Sequence, residues 1–284
     1  MTSLFTAKTV VRFACLFLLI TFAPFTLAQG LISFAEKPVQ VIRGTVLHTG
    51  VAGVLLESGD LLASAEAGVQ LMGFGDAIIA FGPASRIAVE HSTKATELAL
   101  LEGWLKVQIK AGEQVIMIQT PRLRVRATSG TLIVHAGALR DEVFVENGTQ
   151  MVAELGSKRE VLREIKLDRE QFAVRSGDAP LKTGGRPGRE FIDEMPLTFR
   201  DGLVPVTPPK NAKVALKKEH EVGYDEVARW LESPIVLQQS LVRRFTPRLK
   251  DRAFRQSLDA ALGQSRDWKP ILHPPPPVIP KKSG

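Results

Sequence analysis

Apolar and polar residues alternate in short runs from residue 39 to residue 175, and Val, Ile and Leu dominate the apolar positions. In the clearest run, residues 104–110 read Trp-Leu-Lys-Val-Gln-Ile-Lys, so apolar and polar side chains alternate after Trp104. A repeat of two residues is typical of a β-strand, whose successive side chains point to opposite faces. We expect one face of this strand in the core and the other in water, with Trp104 anchored against the core.

Turn-forming residues separate these runs, at Ser58-Gly59-Asp60, Gly73-Phe74-Gly75-Asp76, Ala111-Gly112-Glu113 and Asn147-Gly148. Gly and Asn tolerate the positive φ angles of tight turns, so most connections are predicted to be hairpins. About a dozen strands within residues 39–175 would curl or split as an open sheet. The sequence therefore predicts a mainly β domain, a sandwich, a barrel or a short solenoid-like stack of hairpins, and periodicity does not choose between them.

The composition changes after residue 175. Gly and Pro crowd residues 176–189, which we interpret as a linker. Residues 190–272 are predicted to be mainly helical, with three or four short helices between Tyr224 and Gln264. Ser233-Pro234 and Thr246-Pro247 are expected to begin helices, because the hydroxyl caps free amides and Pro needs no donor there. Residues 273–284 are predicted to form an extended, Pro-rich tail.

The N-terminal segment has the layout of an export signal. Lys8 and Arg12 precede an apolar run, and Ala28 provides a small residue before a cleavage point, so residues 1–28 are predicted to be a signal peptide. An uncleaved membrane anchor is the alternative. Cys15 is the only cysteine and lies in this segment, so the mature chain would have no disulfide and no thiolate metal site. We expect an exported protein without a stable transmembrane anchor and with a mature net charge of about +5.

Several short sequence motifs of the β region follow one another in a distinctive order. They are Ser58-Gly59-Asp60-Leu61-Leu62, Phe74-Gly75-Asp76, Gly82-Pro83-Ala84-Ser85-Arg86-Ile87, Leu101-Glu102-Gly103-Trp104-Leu105-Lys106-Val107, Thr120-Pro121, Ala127-Thr128-Ser129-Gly130-Thr131 and Val143-Phe144-Val145-Glu146-Asn147-Gly148. Together they resemble the FecR-type domain of bacterial envelope proteins, over about residues 55–153.

This resemblance implies an all-β periplasmic domain, with a hairpin stack as its fold, followed here by the small helical region. In the best-known members a cytoplasmic segment controls a sigma factor. This chain has a predicted export signal where that segment would be, so the resemblance implies a protein-interaction, scaffolding or envelope-signalling module, and it supplies no catalytic residues.

The sequence has few candidates for chemistry. His48, His91, His135, His220 and His273 lack the spacing of metal ligands, and no nucleophile or nucleotide-binding motif is present. No signature of a nucleic-acid-binding fold appears either. We expect no enzymatic activity, no metal, no cofactor and no nucleic-acid partner.

Two groups of arginines are candidate contacts for an anionic partner. Arg122, Arg124 and Arg126 project from one face of a predicted strand, where they could bind phosphate or carboxylate groups. The alternative is a solvated face paired with neighbours such as Glu142 and Glu146.

The second group lies in the helical region and consists of Arg243, Arg244, Arg248, Lys250, Arg252 and Arg255, opposed only by Asp251. Such a cluster would create a strong positive potential. The expected partner is another envelope protein, and peptidoglycan or an anionic polysaccharide is the alternative.

Overall fold

A computed structural model of the chain describes residues 30–91, 95–110, 115–207, 214–233, 235 and 238–275. The predicted signal peptide with Cys15, the predicted turn at residues 111–113 and tail residues 276–284 lie outside the described residues. Within the described ranges, none of the helices has the length and apolarity needed to cross a bilayer.

The described residues form eighteen strands and five α-helices. The strands are β1 (Gly30–Ala35), β2 (Val39–Arg43), β3 (Val46–Gly50), β4 (Leu55–Leu56), β5 (Asp60–Ala63), β6 (Val69–Phe74), β7 (Ala77–Phe81), β8 (Arg86–His91), β9 (Thr96–Ile109), β10 (Ile116–Gln119), β11 (Leu123–Ala127), β12 (Gly130–Ala136), β13 (Arg140–Asn147), β14 (Gln150–Leu155), β15 (Val161–Leu167), β16 (Phe172–Ser176), β17 (Lys182–Gly184) and β18 (Lys217–Glu221). The helices are α1 (Arg189–Glu194), α2 (Tyr224–Leu231), α3 (Gln238–Phe245), α4 (Arg252–Leu262) and α5 (Lys269–Leu272), with short 3₁₀ helices at Leu197–Phe199 and Thr246–Lys250.

The strands form one curled sheet whose two halves we call the first and second sheets. The first sheet has the order β4-β1-β6-β7-β9-β12-β13-β16-β17. The second has the order β18-β3-β2-β5-β8-β9-β10-β11-β14-β15. All of these neighbours are antiparallel except β9 and β10, which are parallel.

Strand β9 belongs to both sheets, and Gly103 marks the crossing. The residues before it pair with β8 and β10, and those from Gly103 onward pair with β12 and β7. Gly103 has φ +92°, and a Cβ there would lie 2.3 Å from the Oγ atom of Ser85. Only glycine satisfies both the backbone angle and this close approach, so it permits the bend that folds one sheet over the other.

The main core lies between the two sheets. Leu105, Val107 and Ile109 of the first sheet share it with residues such as Ile118 and Val125 of the second. The alternation predicted for these strands is confirmed on their inner faces, and the predicted mainly β fold with C-terminal helices is confirmed as well. Of the architectures left open by the sequence, the described residues form a sandwich.

The outer face of the first sheet does not face water as the sequence analysis expected. Residues 191–204, which we call the strap, pack across it through Phe191, Met195 and Phe199. Trp104 lies beneath the strap, with its ring centroid 5.0 Å from that of Phe191, and so packs in this second apolar cluster.

Lys106 was expected on the solvent-facing side of its strand, and it departs most clearly from that prediction. Its side chain is fully buried, and its Nζ donates to the carbonyl oxygens of Phe199 at 2.7 Å and Asp201 at 2.9 Å. It also forms an ion pair of 2.7 Å with Glu146. These contacts satisfy the buried charge, which would otherwise be costly to remove from water.

The helices cover part of the outer face of the second sheet. Ile42, Leu61 and Ala88 pack there against an apolar cluster that includes Phe245 and Phe254. The predicted number of short helices between Tyr224 and Gln264 is confirmed. Thr246-Pro247 begins only a 3₁₀ helix, whereas α4 begins after Asp251, whose side chain accepts hydrogen bonds from the amides of Ala253 and Phe254.

The boundaries of the regions differ from those read in the sequence. The β structure begins at Gly30, before residue 39, and β17 falls inside residues 176–189. Strand β18 lies in the region predicted to be mainly helical and pairs with β3. Strand β1 is apolar apart from Ser33, β17 has only three residues and β18 is densely charged. None of the three shows the regular apolar–polar alternation that marks a half-buried strand.

Candidate anion-binding face

The outer side of β10, β11, β14 and β15 forms a surface that we call the open face. The apolar cluster beneath the helices reaches Ala99 and Leu101 of β9 and includes no residue of these four strands. Cross-strand register places the open-face side chains in two rows. One row contains Met117, Arg126, Met151 and Lys166, and the other contains Gln119, Arg124, Ala153 and Glu164.

Arg124 and Arg126 project from β11 in the middle of the open face. Arg126 is exposed and Arg124 is half-buried, and neither makes an ion pair or hydrogen bond within the described part of the chain. Residues two apart on a strand are separated by roughly 7 Å. The two guanidinium groups can therefore contact two successive anionic groups of an extended partner.

The carboxylates expected to neutralise this ladder lie elsewhere, so that pairing was wrong. Glu142 accepts from His135 Nδ1 at 2.8 Å and pairs with Arg140 at 3.2 Å, and Glu146 pairs with Lys106. Both glutamates belong to β13 of the first sheet, whereas the ladder belongs to the second. Arg124 and Arg126 consequently keep their charge available for an external partner.

A further arginine, which the sequence analysis did not single out, supports one end of the open face. Arg159 donates through Nη1 to the carbonyl oxygens of Thr120 at 2.8 Å and Pro121 at 2.7 Å, and through Nη2 to Gln119 Oε1 at 3.1 Å. Burial, with a smaller contribution from the charge of Arg124, lowers the pKa of Arg159 to about 10. Arg159 thus holds the end of β10 in place and adds positive potential beside Arg124.

Arg122, the first member of the predicted ladder, has a structural role. Its Nη1 donates to Asp141 Oδ1 at 2.8 Å, and its Nη2 donates to the carbonyl oxygen of Ala138 at 2.7 Å. Asp141 is fully buried and also accepts from Thr120 Oγ1 at 2.6 Å. Burial raises the pKa of Asp141, although Thr120 and Arg122 partly offset this effect. Arg122 is therefore committed to a buried carboxylate and not to a ligand.

Arg244, in the helical group, is also committed to the fold. Its guanidinium donates to the carbonyl oxygens of Gly44, Gly59 and Ile42, the last at 2.6 Å. Burial lowers the pKa of Arg244 to about 10, and Asp60 and Glu90 partly offset it, so the group stays charged at neutral pH. This side chain fastens α3 to the turns of the second sheet.

The remaining helical cations divide into two kinds. Arg248 donates to the carbonyl oxygen of Val222 at 3.1 Å and pairs with Asp251 at 3.0 Å, while Arg255 donates to the carbonyl oxygen of Leu272 at 3.1 Å. Arg243, Lys250 and Arg252 are exposed and make no ion pair or hydrogen bond among the described residues. The predicted cluster is therefore not one continuous binding patch.

Among the residues described, no three His, Cys, Asp or Glu side chains converge as metal ligands. His135 stacks on Trp104 with ring centroids 4.1 Å apart and bonds to Glu142, which accounts for both its ring face and its Nδ1 atom.

Comparisons with known proteins place the chain only loosely. No family model matches it, and no curated protein matches it. Two solved structures are similar in part, and each is described as that of a proposed anti-sigma factor from Parabacteroides distasonis ATCC 8503. The first has 11% identity and a TM-score of 0.38, over 44% of this chain and 59% of that one. The second has 8% identity and a TM-score of 0.39, over 60% of this chain and 88% of that one.

Proposed function

We propose that this protein is a non-enzymatic interaction module of the bacterial envelope, whose open face binds an acidic surface of another envelope protein. The observation that carries the proposal is the pair Arg124 and Arg126, which have no carboxylate partner in the described chain and stand beside half-buried Met117 and Met151. Arg and Met are enriched at protein interfaces, where a flexible thioether adapts to a partner and a guanidinium pairs with carboxylates.

The sequence supports the setting of this function. The predicted signal peptide and the resemblance to FecR-type domains both favour a periplasmic location, and the resemblance favours a role in binding or signalling. Cell fractionation and N-terminal sequencing of the purified protein test this part, with a mature N-terminus at Gln29 as the expected result.

Peptidoglycan or another anionic polysaccharide is the second candidate partner. The regular spacing of Arg124 and Arg126 along one strand favours it, because a linear polymer presents anionic groups in a row. The adjacent methionines favour a protein, since they offer apolar area that a strongly hydrated polymer would not use.

Site-specific photo-crosslinking in intact cells tests the proposal. A photoreactive residue is placed at Glu97, which is exposed and lies beside Met117 on the neighbouring strand. We expect capture of one discrete, acidic envelope protein, and a loss of roughly tenfold or more in yield when Arg124→Glu and Arg126→Glu are combined, because attraction becomes repulsion at two contacts.

The matched control combines Lys182→Glu and Arg189→Glu, which reverse two exposed charges associated with the first sheet. This variant should capture the partner as the wild type does, and all variants should melt at similar temperatures. Capture that survives reversal of both β11 arginines would reject the open face as the binding surface. Charge-dependent pelleting with purified peptidoglycan, without protein capture, would favour the polysaccharide instead.

A further inference from the structure

Strand β15 closes one end of the second sheet, and its outer edge has no neighbouring strand in the described part of the chain. It pairs with β14, and no other strand in the described ranges pairs with it. Five of its seven residues are exposed, with Val161 at 49% and Leu162 at 54%. A strand edge of this kind presents unpaired amides and carbonyls to other chains.

The regular part of this edge is short and well defined. The register to β14 shifts between Val161 and Arg163, so Leu162 is a bulge and regular pairing covers residues 163–167. Ile165 is the central residue of that stretch. Glu164 and Lys166 flank it, and both side chains point toward the open face.

We propose that β15 pairs antiparallel with β15 of a second copy of this chain, so that the two copies of Ile165 face each other across the two-fold axis. In such a pair every side chain keeps its own sheet face, so the axis must pass midway between the two copies of one residue, which face each other. Centring the pair on Ile165 places Glu164 of each copy opposite Lys166 of the other, so two oppositely charged pairs form. Centring on residue 163, 164 or 166 would instead oppose two like charges at the axis, which destabilises a strand pair.

The opposite edge of the second sheet shows why β15 and not β18 is the pairing edge. The register of β18 to β3 shifts between Lys218 and His220, so a bulge interrupts its middle. All five of its residues are exposed and four are charged. Bulges and dense charge are the means by which edge strands resist pairing, whereas β15 keeps five regular residues in a row.

The dimer would join two second sheets into one continuous sheet and place two open faces side by side. This inference does not depend on the proposed function, because the contact involves only copies of the same chain. It does predict that four arginines of β11, Arg124 and Arg126 of each copy, would lie on one surface, which would strengthen binding to a partner with repeated acidic groups.

Sedimentation equilibrium of the purified protein over a wide concentration series tests the pairing. We expect a reversible monomer–dimer equilibrium. Lys166→Glu should weaken it by roughly 10- to 100-fold, since two attractive pairs become two repulsive ones. Combining Glu164→Lys with Lys166→Glu exchanges the charges and should restore the dimer.

The matched control is Lys218→Glu, the same charge change on the opposite edge strand, and it should leave the equilibrium unchanged. Circular dichroism and thermal melting verify that each variant folds. A protein that stays monomeric at every concentration would overturn the inference, as would a dimer that is insensitive to Lys166→Glu or not restored by the exchange. Arg124→Glu with Arg126→Glu should leave dimerisation intact, so failure of the proposed function can be told apart from failure of the dimer.

Discussion

Two arginine-rich regions, the strand ladder of residues 122–126 and the helical cluster of residues 243–255, look alike in sequence but differ in the fold. In the helical cluster, Arg244 and Arg248 donate to backbone carbonyls and hold helices against the second sheet. In the ladder, Arg122 is committed to a buried carboxylate, whereas Arg124 and Arg126 have no such partner in the described chain.

The difference teaches that charge density along a sequence does not identify a binding surface. An arginine is withdrawn from binding when its guanidinium donates to several backbone carbonyl oxygens of the fold, because these charge-assisted hydrogen bonds hold it in place. Arg244 donates to the carbonyl oxygens of Gly44 and Gly59 in two turns and to that of Ile42 in β2. Arg124 and Arg126 point away from a regular strand ladder, whose own carbonyls are already satisfied.

The largest effect within this comparison is expected for Arg122→Ala. It leaves the carboxylate of Asp141 buried without its cation and should lower the free energy of unfolding by about 3 kcal/mol at pH 7, as measured by chemical denaturation. Arg126→Ala is the control from the same strand and should change it by less than about 0.5 kcal/mol. Equal stability of the two variants would contradict the different roles assigned to Arg122 and Arg126.

The cost of Arg122→Ala should depend on pH. Because the folded-state pKa of Asp141 is raised above 3.8, its contribution to stability is fully present below pH 3.8 and is lost as the pH rises through the folded pKa. Removing Arg122 raises that pKa further. The stability gap between wild type and variant should therefore be small near pH 3 and widen toward neutral pH, and a gap that narrows with rising pH would contradict this account.

The next effect is expected for Arg244→Ala, which removes the donor from three carbonyl oxygens and detaches α3 from the second sheet. We expect a loss of about 2 kcal/mol in the free energy of unfolding, because three charge-assisted hydrogen bonds, two of them partly buried, are lost together. Arg243→Ala, next to it on an exposed position, serves as the matched control and should be nearly neutral. If Arg244→Ala left the free energy of unfolding unchanged, the helical cluster would again be a candidate binding surface.

The sequence predicted inner faces well and outer faces poorly, for a physical reason. Alternation within one strand tells which residues share a face, so Leu105 and Val107 could be placed in a core. What covers the opposite face comes from elsewhere in the chain, and Lys106 is buried by Phe199, 93 residues away. No local pattern carries that information.

Local sequence patterns were limited in the same way at the candidate site. Arg124 and Arg126 could be named from their alternation, but their assumed partners Glu142 and Glu146 could not be checked, since sheet membership depends on the crossing of β9. Gly103 is the one local signal of that crossing, because a glycine within a strand often marks a bend or a close backbone approach.

A smaller effect is expected for Arg248→Ala. Arg248 joins the carbonyl of Val222 to Asp251 and lies over the ring of Phe254, with its Cζ atom 5.5 Å from the ring centroid. Its removal should cost about 1 kcal/mol in unfolding free energy. Arg252→Ala, which is exposed on α4, is the control. A loss as large as that for Arg244→Ala would show that the two arginines fasten the helices equally.

The smallest effect on stability, and the most informative, is expected for the double variant Arg124→Ala and Arg126→Ala. Neither side chain satisfies a buried acceptor, and removing Arg124 relieves repulsion with Arg159, so the free energy of unfolding should change by less than about 0.5 kcal/mol or even increase. Added salt should stabilise the wild type slightly more than the variant, because it screens that repulsion. Thermal melting at low and high ionic strength measures both effects. A clear destabilisation would mean that these arginines hold the fold together as Arg244 does, and the contrast between the two regions would be lost.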